Sequence, residues 1–195
     1  MDNPKQTVGA AAEGIESKDR DVARAVGSAR HSGFVQALGQ ASEVADQPPL
    51  IALSAATLVA GLSLRNRRLA RTGLRMLASH FLATRAKSFV KHRVDRTRPF
   101  VMLGGAGYHA RAGHSREKAE NSFPSGHTAG AVAVARAVAA EYPGSRPVGY
   151  TAAAAAGAIQ LPRGAHYLSD VLGAMAEGLA WLSLCLTVIY SLRRR

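Results

Sequence analysis

The sequence has one cysteine in 195 residues. That excludes an intramolecular disulfide and a cysteine-based metal cluster. Cys185 lies in an apolar run and reads as a small buried or lipid-facing residue. Aromatic residues are scarce, at 6%, and no zinc-ligand spacing or aromatic RNA-binding pattern occurs. The chain carries 25 Lys and Arg against 13 Asp and Glu, a formal net charge of +12. With so few aromatics, that charge points away from nucleic acid and toward an anionic lipid or an anionic substrate. The N-terminus lacks a charged stretch followed by an apolar core, so no cleavable signal peptide is expected. No repeat of about 20–50 residues is present.

Hydrophobic residues make up 47% of the chain, and mean hydropathy is near zero. The average conceals segregation. Residues 1–20 hold almost no large apolar side chains and read as a disordered tail. Over 21–46, Val22, Val26, Phe34, Leu38 and Ala45 recur at roughly helical spacing among Arg24, Arg30 and Glu43. That is an amphipathic helix too polar to span a bilayer; it fits a membrane surface or its own protein equally well. Pro48-Pro49 ends it.

From residue 47 onward the apolar runs accumulate. Residues 50–64 are uncharged, and 69–92, 127–141 and 147–161 read as further helices. Residues 171–190 form the strongest span, with Glu177 their only charge. Residues 100–122, rich in Gly, His, Arg and Glu, read as a loop. Basic clusters at Arg65 to Arg71 and Arg193 to Arg195 set the cytoplasmic side. Alternating the helices then brings 91–126 and 163–170 together on the other side. The expected fold is all-α: a membrane-embedded bundle of about five spanning helices plus the N-terminal amphipathic helix, with 47–195 as one domain.

Three polar clusters interrupt these runs, and all fall on that second side. Lys91 and Arg98-Pro99 supply a point charge and a bidentate fork, the cations a phosphoryl group in transit needs. Taken alone, they equally describe a solvated helix end. Pro124-Ser125-Gly126-His127 precedes an Ala/Val helix. Ser125 stands at its N-cap, Gly126 allows close backbone approach, and His127 falls in its first turn. An ordinary capped helix has the same pattern. His166 and Asp170 are four residues apart, so a carboxylate can fix the imidazole tautomer and leave the other nitrogen free as a nucleophile. A structural His-Asp cap would look alike.

In this order and spacing the clusters are specific. The chain resembles the type 2 phosphatidic acid phosphatase superfamily, over about residues 91–175. The resemblance implies that His166 is a nucleophile forming a phosphohistidine, that Asp170 orients it, and that His127 protonates the leaving oxygen. It also implies that Lys91 and Arg98 grip the phosphate, aided by Ser125 and the Gly126 N–H, with no metal and no cofactor. Membrane members of the family have six spans, against the five counted here. One position departs. Six residues before its nucleophilic His the family has Arg, and here that residue is Gln160; Arg163 stands three before His166 instead. A missing charge-assisted contact costs on the order of 2–4 kcal/mol in the transition state, and Arg163 is the residue expected to compensate.

The expected protein is an integral membrane phosphatase, of the bacterial inner-membrane branch, acting on a lipid phosphate or diphosphate from the extracytoplasmic side. Its partners are the lipid substrate and the membrane. The alternatives are a catalytically weak or inactive member that binds anionic lipid, and a soluble acid phosphatase or haloperoxidase-like protein.

Overall fold

The structure, a computed structural model, describes the backbone of residues 4–193 and the side chains of residues 9–180. Eight α-helices are present among the described residues, with one two-stranded ribbon.

Helix α1 runs Pro4–Gly27, so it begins inside the segment whose composition reads as a tail. Composition missed a long-range anchor: Asp19, 3% exposed, is ion-paired to Arg96 at 2.7 Å. The single amphipathic helix expected over 21–46 is also broken. A 3-10 turn follows at Ser28–His31, and Ser32 then caps α2 (Gly33–Ser42) by accepting the Val35 N–H at 3.2 Å. A cap of this kind starts a new helix because it satisfies donors that an unbroken helix would not leave free. Pro48 and Pro49 do not stop a helix. They lie in the first turn of α3 (Gln47–Ser63), where missing N–H groups cost nothing.

Asn66 caps α4 (Arg67–Lys91) by accepting the N–H groups of Arg68 and Leu69, each at 3.1 Å. Helices α3 and α4 form a close hairpin. At Gly73 an added methyl would stand 2.3 Å from the Leu58 backbone nitrogen, so only glycine fits that crossing. Beyond α4 the chain forms a small ribbon, β1 (Val94–Arg96) antiparallel to β2 (Ala110–Ala112), with Asp95 opposite Arg111. Helix α5 (Pro99–Leu103) lies between the strands, so the expected loop over 100–122 is partly ordered by its own elements.

The central helix is α6 (Gly126–Glu141), against which α4, α7 (Arg146–Ala158) and α8 (Leu168–Arg193) all pack. Its Thr128, Ala129, Val132, Ala133 and Ala137 are almost fully buried, and small side chains let four helices converge. Glu141, at its far end, is gripped by Arg71 through two 2.7 Å bonds and by Arg75. Because Arg71 opens α4 and Lys91 closes it, that grip makes α4 and α6 antiparallel and brings Lys91 to the start of α6.

The helical segments expected after residue 46 are therefore present, within a few residues at each end. No helix among the described residues is long and apolar enough to cross a membrane. Side chains 181–190, the second half of the span expected at 171–190, lie outside those described, together with Cys185 and the closing arginines. Large apolar side chains are exposed along the α3–α4 hairpin, among them Val59, Leu62, Leu64, Phe81 and Phe89.

Candidate active site

The N-terminal end of α6, the C-terminal end of α4 and the turn leading into α8 surround a polar cavity of about 410 Å³. It is lined by Lys91, Arg98, Gly126, His127, Gln160, Arg163 and His166 of the residues singled out in the sequence. Ser125 and Asp170 do not line it. Both are fully buried just behind, and the Ser125 N–H donates to the Asp170 carbonyl at 3.2 Å. The Ser125 side chain makes no cap bond; its Oγ accepts from Thr128 Oγ1 at 3.0 Å.

Lys91 and Arg98 converge on one carbonyl. Lys91 Nζ donates to the Asn121 oxygen at 2.9 Å and Arg98 Nη2 to the same atom at 3.2 Å. Burial makes the Arg98 charge costlier and lowers its pKa, against the raising pull of Asp170. Two further cations, Lys87 and Lys118, face the cavity. Lys87 precedes Lys91 by one helical turn, a spacing that would have revealed it. Among the described residues, five basic side chains thus meet two carboxylates, Glu43 and Asp46, and an anion is the ligand this lining favours.

His166 is 4% exposed. Its Nδ1 stands 3.6 Å from Asp170 Oδ2, just beyond hydrogen-bond length. Burial pushes the His166 pKa down to about 4 despite the raising effect of Asp170, and Arg98 and Lys91 push the same way. The imidazole is therefore unprotonated at neutral pH. Burial works to raise the Asp170 pKa, but His166, Arg96 and Ser122 outweigh it and hold the carboxyl below its ordinary range.

Asp170 is held by residues the sequence did not single out. Arg96 Nη1 donates to its Oδ1 at 2.5 Å, the Tyr167 N–H donates to Oδ2 at 2.8 Å, and the Ser122 hydroxyl makes a short bond to Oδ2. Arg96 donates in turn to Asp19 Oδ2 at 2.7 Å and to Ser169 Oγ at 2.8 Å, with its guanidinium 4.4 Å from the Tyr167 ring centre. A chain of buried groups therefore runs from α1 through β1 to the imidazole.

The turn before α8 is built on Gln160. Its carbonyl accepts the N–H groups of Ala165 and His166 at 3.0 and 3.3 Å, and Gly164 turns the chain at φ +68°. The Gln160 side chain, 1% exposed, donates to Ser42 Oγ at 3.2 Å and to the Ala156 carbonyl at 3.0 Å. Arg163 reaches the same cavity, but its head is occupied: Nη2 lies 2.8 Å from Glu43 Oε1, and Nη1 is 3.3 Å from Ser42 Oγ. Glu43 Oε2 is also 3.5 Å from His127 Nε2. Burial favours protonated Glu43, yet Arg163 and His127 together hold its pKa below the usual value.

Glu43, Asp46 and His127 bring possible ligand atoms within 4.8 Å of one another, but Glu43 is already committed to Arg163. Of the 100–122 segment, Phe100 and Lys118 reach the cavity, whereas His109 turns to Thr97 at 3.0 Å and to Glu120 at 3.5 Å. Arg116 joins Lys91, Arg98 and Lys118 around an adjoining hollow.

The family model described as PAP2 superfamily matches residues 72–194. No curated protein sequence matches the chain. Among solved structures, it is similar to the transmembrane PAP2-type phosphatidylglycerolphosphate phosphatase from Bacillus subtilis. The TM-score is 0.59 at 17% identity, over 91% of this chain and 87% of that one, a likeness of fold.

Proposed function

This chain belongs to the PAP2 superfamily, and from that premise we propose that it hydrolyses a lipid phosphate or diphosphate through a phosphohistidine on His166. One observation carries the reading. A single cavity gathers an unprotonated His166, the cations Lys91 and Arg98, and His127.

In the proposed reaction His166 Nε2 attacks phosphorus and the bond to the leaving alkoxide breaks. Lys91, Arg98 and the amide at Gly126 carry the charge on the equatorial oxygens. His127 gives its proton to the leaving oxygen. Water then attacks the phosphohistidine, His127 takes the water's proton, and inorganic phosphate leaves as the N–P bond breaks. Asp170 steadies the imidazolium that forms during the first step. Arg163 is the third phosphate cation, and it becomes available when the substrate displaces Glu43. No step calls for a metal.

A lipid substrate fits the exposed apolar side chains of α3 and α4, which need a hydrocarbon environment. Residues 47–195 carry the reacting groups of the phosphatase domain and the N-terminal segment adds one wall of its cavity, the whole seated in a membrane with the cavity toward the extracytoplasmic side. The experiment is phosphate release from a panel of lipid phosphates in detergent, with His166→Ala as control. Equal release from both proteins would overturn the catalytic reading. Recovery of the protein in the soluble fraction without detergent would overturn the membrane part. A second reading, a weak enzyme or a binding protein, is favoured by Gln160 at the usual Arg position and by the Glu43–Arg163 pair. It predicts lipid-phosphate binding with no turnover.

A further inference from the structure

Beside the polar cavity runs a second hollow of about 600 Å³ between α2, α6 and α7. Among the described residues no charged one lines it, and the only polar side chains are Ser42 and Ser145, near its two ends. Gly149, Ala152 and Ala156 form one face of α7 along it, at helical spacing, and Ala131 and Ala135 of α6 line it as well. From Gly149 to Ile159 the groove follows α7 for about 15 Å.

Ser42 joins the two hollows. It lines the apolar groove, and its Oγ accepts from Gln160 Nε2 and Arg163 Nη1, both of which line the polar cavity. A ligand spanning the pair would be anionic at one end and hydrocarbon at the other. The groove's volume lies in the range of small-molecule sites, about 300–1,000 Å³.

We propose that this groove seats the hydrocarbon chain of the phosphorylated substrate, with Ser42 at the junction between chain and phosphate. The inference rests on the phosphatase reading for the phosphate end and deepens it by assigning the chain end. Residues 38–45, which close one side of the groove, lie outside the family match at 72–194.

The test measures binding of butyl, hexyl and octyl phosphonate, which cannot be hydrolysed, to the full-length protein in one fixed detergent. In the wild type the Kd falls with chain length, by up to about fourfold per methylene buried from water. Ala152→Phe fills the groove and flattens that dependence to under 1.5-fold per methylene, with butyl phosphonate binding within about twofold of wild type. Ala152→Leu, a smaller plug, flattens it partly. Ala154→Phe, on an exposed position of α7 outside the groove, keeps the wild-type slope. An unchanged slope in both Ala152 variants would overturn the proposal, as would a wild type with no chain-length dependence. So would a wild-type dimer that Ala152→Phe converts to monomer, since a second copy would then fill the groove. Phosphonate binding with the expected slope but no phosphate release from any ester would overturn the phosphatase reading and leave the groove assignment standing. Release from a soluble aryl phosphate with a flat slope would do the reverse.

Discussion

Replacing Arg96 by Met should destabilise the protein more than any other single polar change near the cavity. The Arg96 side chain is 6% exposed, and its partners Asp19 and Asp170 are 4% and 0% exposed. With the guanidinium gone, Asp170 keeps the Tyr167 N–H and the Ser122 hydroxyl. Asp19 keeps the Ser169 N–H at 3.0 Å and the Ser169 hydroxyl. Those contacts satisfy lone pairs but leave Asp19 without its cation and Asp170 with only the more distant Arg98, a defect that costs about 3–5 kcal/mol. For a chain of this size each kcal/mol moves the midpoint by about 2–4 °C, so the melting temperature should fall by about 6–20 °C. Asp19→Asn should cost less, about 1–2 kcal/mol, because Arg96 still neutralises Asp170 and one charge-assisted bond becomes an ordinary one. Arg96→Lys should fall between the two, since one ammonium cannot fork to both carboxylates. The assay is thermal unfolding in a fixed detergent at pH 7, repeated at higher salt, which screens exposed pairs but not this one. An Arg96→Met midpoint within 2 °C of wild type would refute the reasoning, and so would Asp19→Asn being the worse variant.

Three further outcomes are expected. Arg163→Ala should lower kcat/KM by roughly 10²-fold, the loss of one charged contact in the transition state; a rate within twofold of wild type would show that Arg163 never meets the phosphate. Glu43→Gln should strengthen inhibition by inorganic phosphate about threefold to tenfold, because a half-exposed carboxylate that competes for Arg163 and His127 is removed; weaker inhibition would mean that Glu43 organises the site. The stability that His166 contributes, read as the difference between wild type and His166→Asn, should decline as pH falls from about 6.5 to about 4. Over that range His166 takes up a proton when unfolded but not when folded, and the loss is on the order of 3 kcal/mol. Asp170, with a lowered folded pKa, adds its own loss below about 4. An equal pH dependence of the unfolding midpoint in wild type and His166→Asn across pH 4–6.5 would contradict the assignment.

What the sequence revealed and what it hid separate along one physical line. Periodicity reports a helix's own burial pattern, so α3, α4, α6, α7 and α8 were legible within a few residues. Lys91, Arg98, His127 and His166 were singled out by the order of the motifs and the family resemblance, and all four line one cavity. The break in 21–46 was harder, since Ser32 is an unremarkable serine until its hydroxyl meets the Val35 N–H. Asp19 was out of reach altogether, because its partner Arg96 lies 77 residues away and no local pattern encodes that pairing.

That blind spot bears on the departure at Gln160. An Arg in its place would project its charge from a fixed turn. Gln160 instead lends its side chain to Ser42 and its carbonyl to the His166 N–H, so it ties the N-terminal segment to the turn that carries the imidazole. Arg163 then stands where Glu43, from that same segment, can hold it. Asp19, Ser42, Glu43 and Asp46 all precede residue 72, where the family match begins, and each touches the cavity or the residues behind it. The segment from Asp19 to Asp46 is thus better understood as a wall of the site than as a tail and a surface helix. The Gln160–Ser42 bond and the Glu43–Arg163 pair tie both residues of the departure to the same N-terminal segment. Gln160→Arg alone should therefore not raise turnover: a buried cation there would break the Ser42 contact and compete with Arg163 for Glu43. Only Gln160→Arg combined with Arg163→Ala would restore the usual arrangement.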